Sequence, residues 1–309
     1  MSVEYAIIVR NKTRLEALID QFNTKAQAKF YIESLGGNFD DYVIEHDRFY
    51  FSLNQVQTLL STVLKNKIVD RSYLPNYIFS DNNIIIVIGQ DGLVANTAKY
   101  SNGIPIIAIN PDPQRYDGVL LPFSSKDFIY GIEQVVNHKH RFNTMQFAQA
   151  ELNDGERLLA FNDLFIGASS HVSASYKISY NDQTEEHSSS GLLVSTKAGA
   201  TGWLSSVFNM AYGITSLFDR NLPRHHPELC DNDLMFTVRE PFQSKRTQAD
   251  ITAAFITQQQ QLILESLMPN HGVIFSDGIE SDFLKFNSGA IAKISLATEQ
   301  AYLVMNERK

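Results

Sequence analysis

The segment Gly89-Gln90-Asp91-Gly92 combines a carboxylate with two glycines, and this combination suits chemistry on a phosphate. A carboxylate can accept the proton of an attacking hydroxyl group. Glycines let the backbone approach a phosphate closely and direct N–H donors at it. An ordinary Asp-Gly turn between two core strands accounts for the same residues equally well, because Asp-Gly is a common turn dipeptide.

The flanking residues predict a strand, a glycine turn, a helix and a second strand. Ile84–Ile88 is an unbroken β-branched run, which is typical of a buried parallel strand. A short helix can follow over Leu93–Tyr100, and Ile104–Asn110 is a second apolar strand. Ligands of open parallel sheets bind at the carboxyl ends of the strands, and this order places Asp91 at such an end.

The composition argues against several classes of protein. With 309 residues, 44% of them apolar, the chain can form two domains with cores of their own. Its net charge of −8 argues against a nucleic-acid partner or an anionic membrane surface. No stretch reaches the ~18 uninterrupted apolar residues of a membrane span. Cys230 is the only cysteine, so no internal disulfide can form. We expect a soluble, cytoplasmic protein.

Residues 1–140 alternate strand and helix patterns, which predicts an α/β domain with a Rossmann-like parallel sheet. Besides the segments around Asp91, the pattern predicts a strand at Tyr5–Val9 and helices at Thr13–Leu35, Leu53–Leu64 and Lys126–Asn137.

Residues 141–309 have a different pattern and predict a β-rich second domain, whose last segment can pack back on the first. Apolar and polar residues alternate over Val172–Tyr180, which is the period of a half-buried strand. Further short strands are predicted at Leu192–Val194, Leu234–Val238, Ile251–Ile256, Gln261–Leu264 and Val273–Phe275. Asp277-Gly278 is a hairpin-turn signal, to which we assign a structural role.

Several separated segments resemble one family, in that family's order. They are Gly89–Gly92, Ile109–Pro113, Asp117–Pro122, Phe161–Gly167, Ala174–Tyr176, Ser189–Leu192, Ser195–Trp203, Val238–Pro241 and Phe286–Ala292. The chain resembles the NAD kinases, and within them the mitochondrial-type branch most. A single four-residue motif would be weak evidence, whereas so many segments in register are strong evidence.

The resemblance implies an enzyme that phosphorylates the 2′-hydroxyl of the adenosine ribose of NAD to give NADP. Mg-ATP is the implied donor, with polyphosphate as an alternative, and the magnesium ion is carried by the nucleotide, so no metal ligands are assigned to the protein. The resemblance also implies a homodimer or a higher homo-oligomer. Asp91 is the implied catalytic base, with Gly89, Gln90 and Gly92 on the donor phosphates and Asn162, Asp163, Ser190, Thr201, Trp203 and Ser206 on NAD.

Departures from the family pattern leave alternatives open. Gln90 replaces a glycine, and its side chain could crowd the donor phosphates or forbid a left-handed backbone. Leu93 stands where many relatives have threonine. One alternative is therefore an NAD- or NADP-binding regulatory protein with weakened catalysis. Another is a kinase of a different small molecule or a lipid, because lipid kinases share the glycine-acid motif. Trp203 can stack on adenine or serve as a core residue.

Overall fold

The computed structural model describes residues 3–221, 223–226 and 228–307. The chain forms two compact units. Unit 1 comprises Met1–Thr144 together with Ala301–Lys309, and unit 2 is the continuous segment Met145–Gln300. In the sequence, unit 2 is therefore an insertion within unit 1.

Unit 1 is built on a parallel sheet. Its strands are β1 (Tyr5–Arg10), β2 (Lys65–Asp70), β3 (Asn83–Ile88) and β4 (Ile106–Ile109). They lie side by side in the order β2-β1-β3-β4, and all of these neighbours are parallel. Every residue of β3 and β4 is buried, as expected of strands in a sheet covered on both faces. Late in the chain, Leu303 returns to pair with Ile106 in parallel register.

The helices of unit 1 bury apolar residues, some of them against this sheet and some against each other. They are α1 (Arg14–Phe22), α2 (Lys25–Ser34), α3 (Asp40–Leu60), α4 (Asp91–Ala98) and α5 (Phe128–Val136), with a 3₁₀ helix at Arg71–Asn76. In α3, the buried residues Phe49, Leu53, Val56 and Leu60 recur at helical spacing and pack in one cluster with β3.

The prediction of one helix over Thr13–Leu35 is wrong, because the chain breaks it into α1 and α2. Asn23 adopts the left-handed conformation with φ 65°, which ends α1. Thr24 then caps α2, its hydroxyl accepting the N–H of Gln27 at 3.2 Å. The predicted helix over Leu53–Leu64 also differs, since α3 begins at Asp40 and ends at Leu60.

Unit 2 is β-rich, as predicted, and its described strand pairs are antiparallel. Its first sheet contains β5 (Phe142–Leu152), β6 (Arg157–Ala160), β8 (Ala174–Tyr180), β9 (Gln183–Ser189), β13 (Leu262–Ser266) and β16 (Ile291–Val304). Strand β5 starts in unit 1, and β16 ends there. The alternation predicted for Val172–Tyr180 is confirmed in β8, where buried residues alternate with partly exposed ones.

The second sheet of unit 2 carries the sequence segments of most functional interest. Its strands are β7 (Asp163–Ala168), β10 (Leu192–Ser195), β11 (Leu234–Val238), β12 (Ala253–Ile256), β14 (Gly272–Ser276) and β15 (Ile279–Lys285). Their order is β12-β11-β10-β7-β14-β15. Residues from both sheets share one core, in which Leu164, Ile166 and Ile274 are fully buried. The helix α6 (Trp203–Thr215) follows a 3₁₀ turn at Gly199–Thr201.

Candidate functional site

Asp91 lies at the carboxyl end of β3, where it is the first residue of α4. Its side chain is partly buried. The two carboxylate oxygens each accept a backbone N–H, from Leu120 at 2.8 Å and from Val119 at 3.2 Å. These two donors hold the carboxylate in a single orientation, so its remaining lone pairs have a defined direction.

The two glycines beside Asp91 differ in the space available for a side chain. A Cβ on Gly89 would lie 2.9 Å from Cδ2 of Leu93, whereas a Cβ on Gly92 would meet nothing within 4 Å. Gln90 has φ −107° and ψ 165°, an extended conformation that any residue adopts, and its side chain is exposed. The concern that Gln90 forbids a needed left-handed backbone is therefore removed, while its effect on a phosphate stays open.

A cavity of about 380 Å³ opens beside this motif in unit 1. It lies where β1, β3 and β4 end, which is the usual ligand position in a parallel sheet. Gly89, Gln90 and Gly92, the three predicted donor-binding residues, all line it. Its charged lining residues are Lys12, Arg14, Glu45, Arg71 and Asp112.

Of the charged side chains around this cavity, one cation is not neutralised by a carboxylate in the described part of the chain. Asp112 is held by Arg48, whose Nη1 lies 3.0 and 2.9 Å from its two oxygens. Glu45 pairs with Arg14 and, at 3.1 Å, with Arg115. Among residues 3–221, 223–226 and 228–307, Arg71 forms no ion pair with a carboxylate. The cavity can therefore take up negative charge, such as that of phosphate groups.

In unit 2, Asn162 and Asp163 lie directly against the segment that contains Gly199. The Thr196 N–H donates to the Asn162 carbonyl at 2.9 Å, and the Gly199 N–H donates to the Thr196 hydroxyl at 3.3 Å. A Cβ on Gly199 would lie 2.3 Å from that same Asn162 carbonyl oxygen and 2.7 Å from Oδ1 of Asp163. Glycine is thus required here by a close approach of two backbone segments.

Asp277 is a site residue that the sequence does not reveal. Its carboxylate accepts the backbone N–H groups of Asn162 at 2.6 Å, Phe161 at 3.1 Å and Asp163 at 3.3 Å. The Asp277 N–H in turn donates to the Asp163 carbonyl at 2.9 Å. The turn between β14 and β15 therefore supports the backbone of Asn162 and Asp163, in addition to joining two strands.

Asp163 is partly buried, and its Oδ1 atom is inaccessible to solvent and has no hydrogen-bond partner among the described residues. Burial raises the pKa of this carboxyl to about 7, the Ser195 hydroxyl opposes that rise, and the nearby Asp277 carboxylate adds to it. Below about pH 7 the group is therefore protonated and can donate a hydrogen bond. An unpaired buried polar atom is costly, which makes Asp163 a candidate ligand-binding group.

Replacing Asp163 with asparagine should change how stability depends on pH. The folded-state pKa is raised, so between about pH 4 and pH 7 the unfolded chain ionises while the folded chain keeps its proton, and wild-type stability falls. The asparagine side chain of the variant cannot ionise. We expect urea denaturation to show that the variant's stability relative to wild type rises from pH 4 to 7 and is constant above. A difference that does not vary with pH would contradict the assignment.

Ser190 and Trp203 occupy a different part of unit 2, a cavity of about 750 Å³. The Trp203 ring stacks on Phe165, with centroids 5.8 Å apart and planes 7° apart. The guanidinium of Arg239 lies 5.3 Å from the Trp203 centroid and 6.0 Å from that of Phe165. Trp203 also packs against the cluster beneath α6, so it is both a packing residue and part of a cavity wall.

Asn162, Asp163, Thr201 and Ser206 do not line that aromatic cavity in the described part of the chain. Thr201 and Ser206 are exposed, and the Ser206 N–H donates to the carbonyl of Gly202 at 3.3 Å, within the first turn of α6. Four of the six predicted NAD-binding residues of unit 2 thus form two groups, Asn162 and Asp163 beside Gly199, and Ser190 and Trp203 in the cavity. Thr201 and Ser206 belong to neither group.

Among residues 3–221, 223–226 and 228–307, no three His, Cys, Asp or Glu side chains are grouped so that they could hold a metal ion. No helix in those ranges is both long and apolar enough to span a membrane.

Comparison with known proteins identifies the fold. No protein-family profile matches the chain, and no curated protein matches it in sequence. Among solved structures it is similar to yeast NADH kinase complexed with NADH, with a TM-score of 0.60 and 11% identity, over 100% of this chain and 85% of that one. It is also similar to an NAD kinase from Archaeoglobus fulgidus in complex with ATP, with a TM-score of 0.54 and 14% identity, over 98% of this chain and 94% of that one. The chain therefore has the NAD kinase fold.

Proposed function

We propose that this protein is an NAD kinase of the mitochondrial type, which transfers a phosphoryl group from Mg-ATP to the 2′-hydroxyl of the adenosine ribose of NAD. The observation that carries the proposal is Asp91, oriented by two N–H groups and flanked by residues that line a cationic cavity. The NAD kinase fold is the context in which we interpret it.

We also propose that the protein acts as a homo-oligomer. Light scattering measures the mass in solution, and a mass equal to that of one chain would contradict this proposal.

Asp91 would act on the acceptor. An alcohol is a poor nucleophile, so a carboxylate that receives its proton as the new O–P bond forms lowers the barrier. The γ-phosphoryl group leaves its bridging oxygen, and ADP departs with that electron pair. Phosphoryl transfer depends mainly on positioning and charge stabilisation, and a carboxylate already held by Leu120 and Val119 needs little reorganisation.

The unit 1 cavity would hold the donor. Lys12, Arg14 and Arg71 line it, and Arg71, which no carboxylate neutralises in the described part of the chain, suits the phosphate chain of a nucleotide. The magnesium ion that accompanies ATP would supply further positive charge as part of the substrate. The archaeal protein of similar fold is described in complex with ATP, which supports ATP over polyphosphate as the donor here.

Residues of unit 2 would hold the dinucleotide. Asn162 offers an amide and Asp163 a carboxyl group, which suit the hydroxyl and amide groups of NAD. The aromatic cavity offers the Trp203 ring and the Arg239 guanidinium, a combination that accepts a flat base or a phosphate. Yeast NADH kinase is described with NADH, so both oxidation states of the dinucleotide should be assayed.

The test is to incubate the purified protein with Mg-ATP and NAD, or NADH, and to measure NADP or NADPH with an NADP-specific dehydrogenase. Product that appears only with both substrates supports the proposal, and replacing ATP with polyphosphate decides the donor. Tight NAD binding without turnover would instead favour the regulatory alternative, for which exposed Gln90 is the motivating residue. If the protein shows no NAD binding and no turnover, a kinase of another small molecule or of a lipid is favoured.

NAD binding should change the fluorescence of Trp203. This residue is the only tryptophan, so emission reports on it alone. We expect NAD to quench or shift the emission, because a base in the cavity would contact the indole ring. Titration with NAD, with unrelated GMP as a control for absorption by the nucleotide, measures the effect. Unchanged emission at saturating NAD would show that Trp203 only packs against its protein neighbours.

A further inference from the structure

The loop that holds Asp91 is itself shaped by one buried side chain, that of Asn110. This loop connects β4 to α5, and its backbone closes on itself at Asn110 and Phe123. The Asn110 N–H donates to the Phe123 carbonyl at 2.8 Å, and the Phe123 N–H donates to the Ala108 carbonyl at 3.2 Å. Between these residues the loop is held by contacts within itself and by ion pairs of Asp112 and Arg115 with α3.

The Asn110 side chain supplies two of those contacts. Its Nδ2 donates to the Tyr116 carbonyl at 2.9 Å, and its Oδ1 accepts the Asp112 N–H at 3.0 Å. The residue is 7% exposed, so water cannot readily replace these bonds. One amide therefore holds both ends of the segment from Asp112 to Tyr116.

The same amide defines the turn that follows. Gly118 has φ 65°, and a Cβ there would lie 2.5 Å from Nδ2 of Asn110. The Leu121 N–H donates to the Gly118 carbonyl at 3.0 Å, which closes the turn. Val119 and Leu120 lie inside this turn, and their N–H groups are the two donors to the Asp91 carboxylate.

We propose that Asn110 is a positioning residue for Asp91, acting through the backbone of the loop. It holds the segment from Asp112 to Tyr116, which leads into the turn at Gly118, and that turn presents two successive N–H groups to the carboxylate. Among the described residues no hydrogen bond joins Asn110 to Asp91, so its influence is indirect. The inference rests on the proposed function, because it assigns Asn110 a part in orienting the catalytic base.

The test compares Asn110→Ala with Asn83→Ala in the NADP-forming assay. Asn83 is also a buried asparagine whose Oδ1 accepts a loop N–H, that of Ser80 at 2.9 Å, but it begins β3 at the end opposite Asp91. A misplaced catalytic group can cost about a hundredfold, so we expect Asn110→Ala to lower kcat at least about tenfold. KM for NAD and for ATP should change less than kcat, and Asn83→Ala should leave kcat unchanged.

A second comparison separates positioning from general damage to the fold. In an Asp91→Asn background the base is already lost, so adding Asn110→Ala should lower kcat no further. The same loss in both backgrounds would overturn the proposal, as would an unchanged kcat in the single variant. If Asn110→Ala does not fold, Asn110→Asp is the variant to test. Aspartate has nearly the same shape and keeps an oxygen that accepts the Asp112 N–H, but its carboxylate has no N–H to donate to the Tyr116 carbonyl. The same results are expected for this variant. A wild-type protein that forms no NADP would contradict the proposed function itself, before any variant is compared.

Discussion

Replacing Asp91 with asparagine is expected to lower turnover at least about a hundredfold, the scale usual for loss of a general base. Asparagine has nearly the same shape and keeps one oxygen to accept an N–H from Val119 or Leu120. The amide cannot take up the proton of the ribose hydroxyl. We therefore expect kcat to fall in the NADP-forming assay, while the affinity for NAD stays near the wild-type value and the melting temperature falls slightly, because one N–H loses its acceptor.

Asp127→Asn is the matched control for this substitution. Asp127 likewise lies at the start of a helix, as the N-cap of α5, and its Oδ1 accepts the Ser124 N–H at 2.6 Å. Its neighbours do not line the cationic cavity, whereas Gln90 and Gly92 beside Asp91 do. Asp127 should tolerate the amide without loss of turnover. Near-wild-type activity in Asp91→Asn would remove Asp91 from the mechanism, and an equal loss in both variants would indicate damage to the fold.

Replacing Gly199 with alanine should strongly weaken NAD binding. The new methyl group would lie 2.3 Å from the Asn162 carbonyl oxygen and 2.7 Å from Oδ1 of Asp163, so the two segments must move apart. Overpacking of this kind costs about 1–3 kcal/mol of folding free energy. The displaced groups are the ones proposed to bind the dinucleotide, so calorimetry should show a loss of NAD affinity along with a lower denaturation midpoint.

Gly213→Ala provides the control for the Gly199 substitution. Gly213 lies in α6, and a Cβ there would meet nothing within 4 Å. Alanine is favoured over glycine in a helix by about 0.5–1 kcal/mol, so this variant should be at least as stable as wild type and bind NAD normally. If Gly199→Ala lost stability but kept its NAD affinity, the Asn162-Asp163 segment would have to be removed from the dinucleotide site.

The elements that sequence patterns predicted best are those whose burial leaves a periodic signal. The apolar run Ile84–Ile88 and the alternation before Tyr180 gave β3 and β8, because each strand has at least one fully buried face. Strand β9 was missed, since the residues of Gln183–Ser189 are all polar and, among the described strands, pair with β8 at the edge of the sheet. The break at Asn23 carried a readable signal, a threonine followed three residues later by glutamine.

The candidate site divides in the same way. Asp91 and its glycines could be predicted as site residues because adjacent residues and a preceding strand carry the signal. Asp277 and Asn110 act through hydrogen bonds to residues that are distant in the sequence or through the folded shape of a loop, as with Phe161 and Gly118. The charge balance that leaves Arg71 without a carboxylate partner in the described ranges likewise depends on tertiary contacts. Such pairings between distant residues cannot be predicted from a single sequence, because they depend on how the chain folds.

The insertion of unit 2 within unit 1 has a consequence for the order of folding during synthesis. Domains usually fold as the ribosome releases them, beginning with the N-terminal one. Here Val304 is part of the unit 1 core, and Leu303 pairs with β4, so the first unit to be translated waits for residues that come after the whole second unit. Unit 2, which is continuous, ends at Gln300, before the last residues of β16 that unit 1 needs have been translated. Pulse-labelled nascent chains should therefore acquire protease resistance in unit 2 before unit 1.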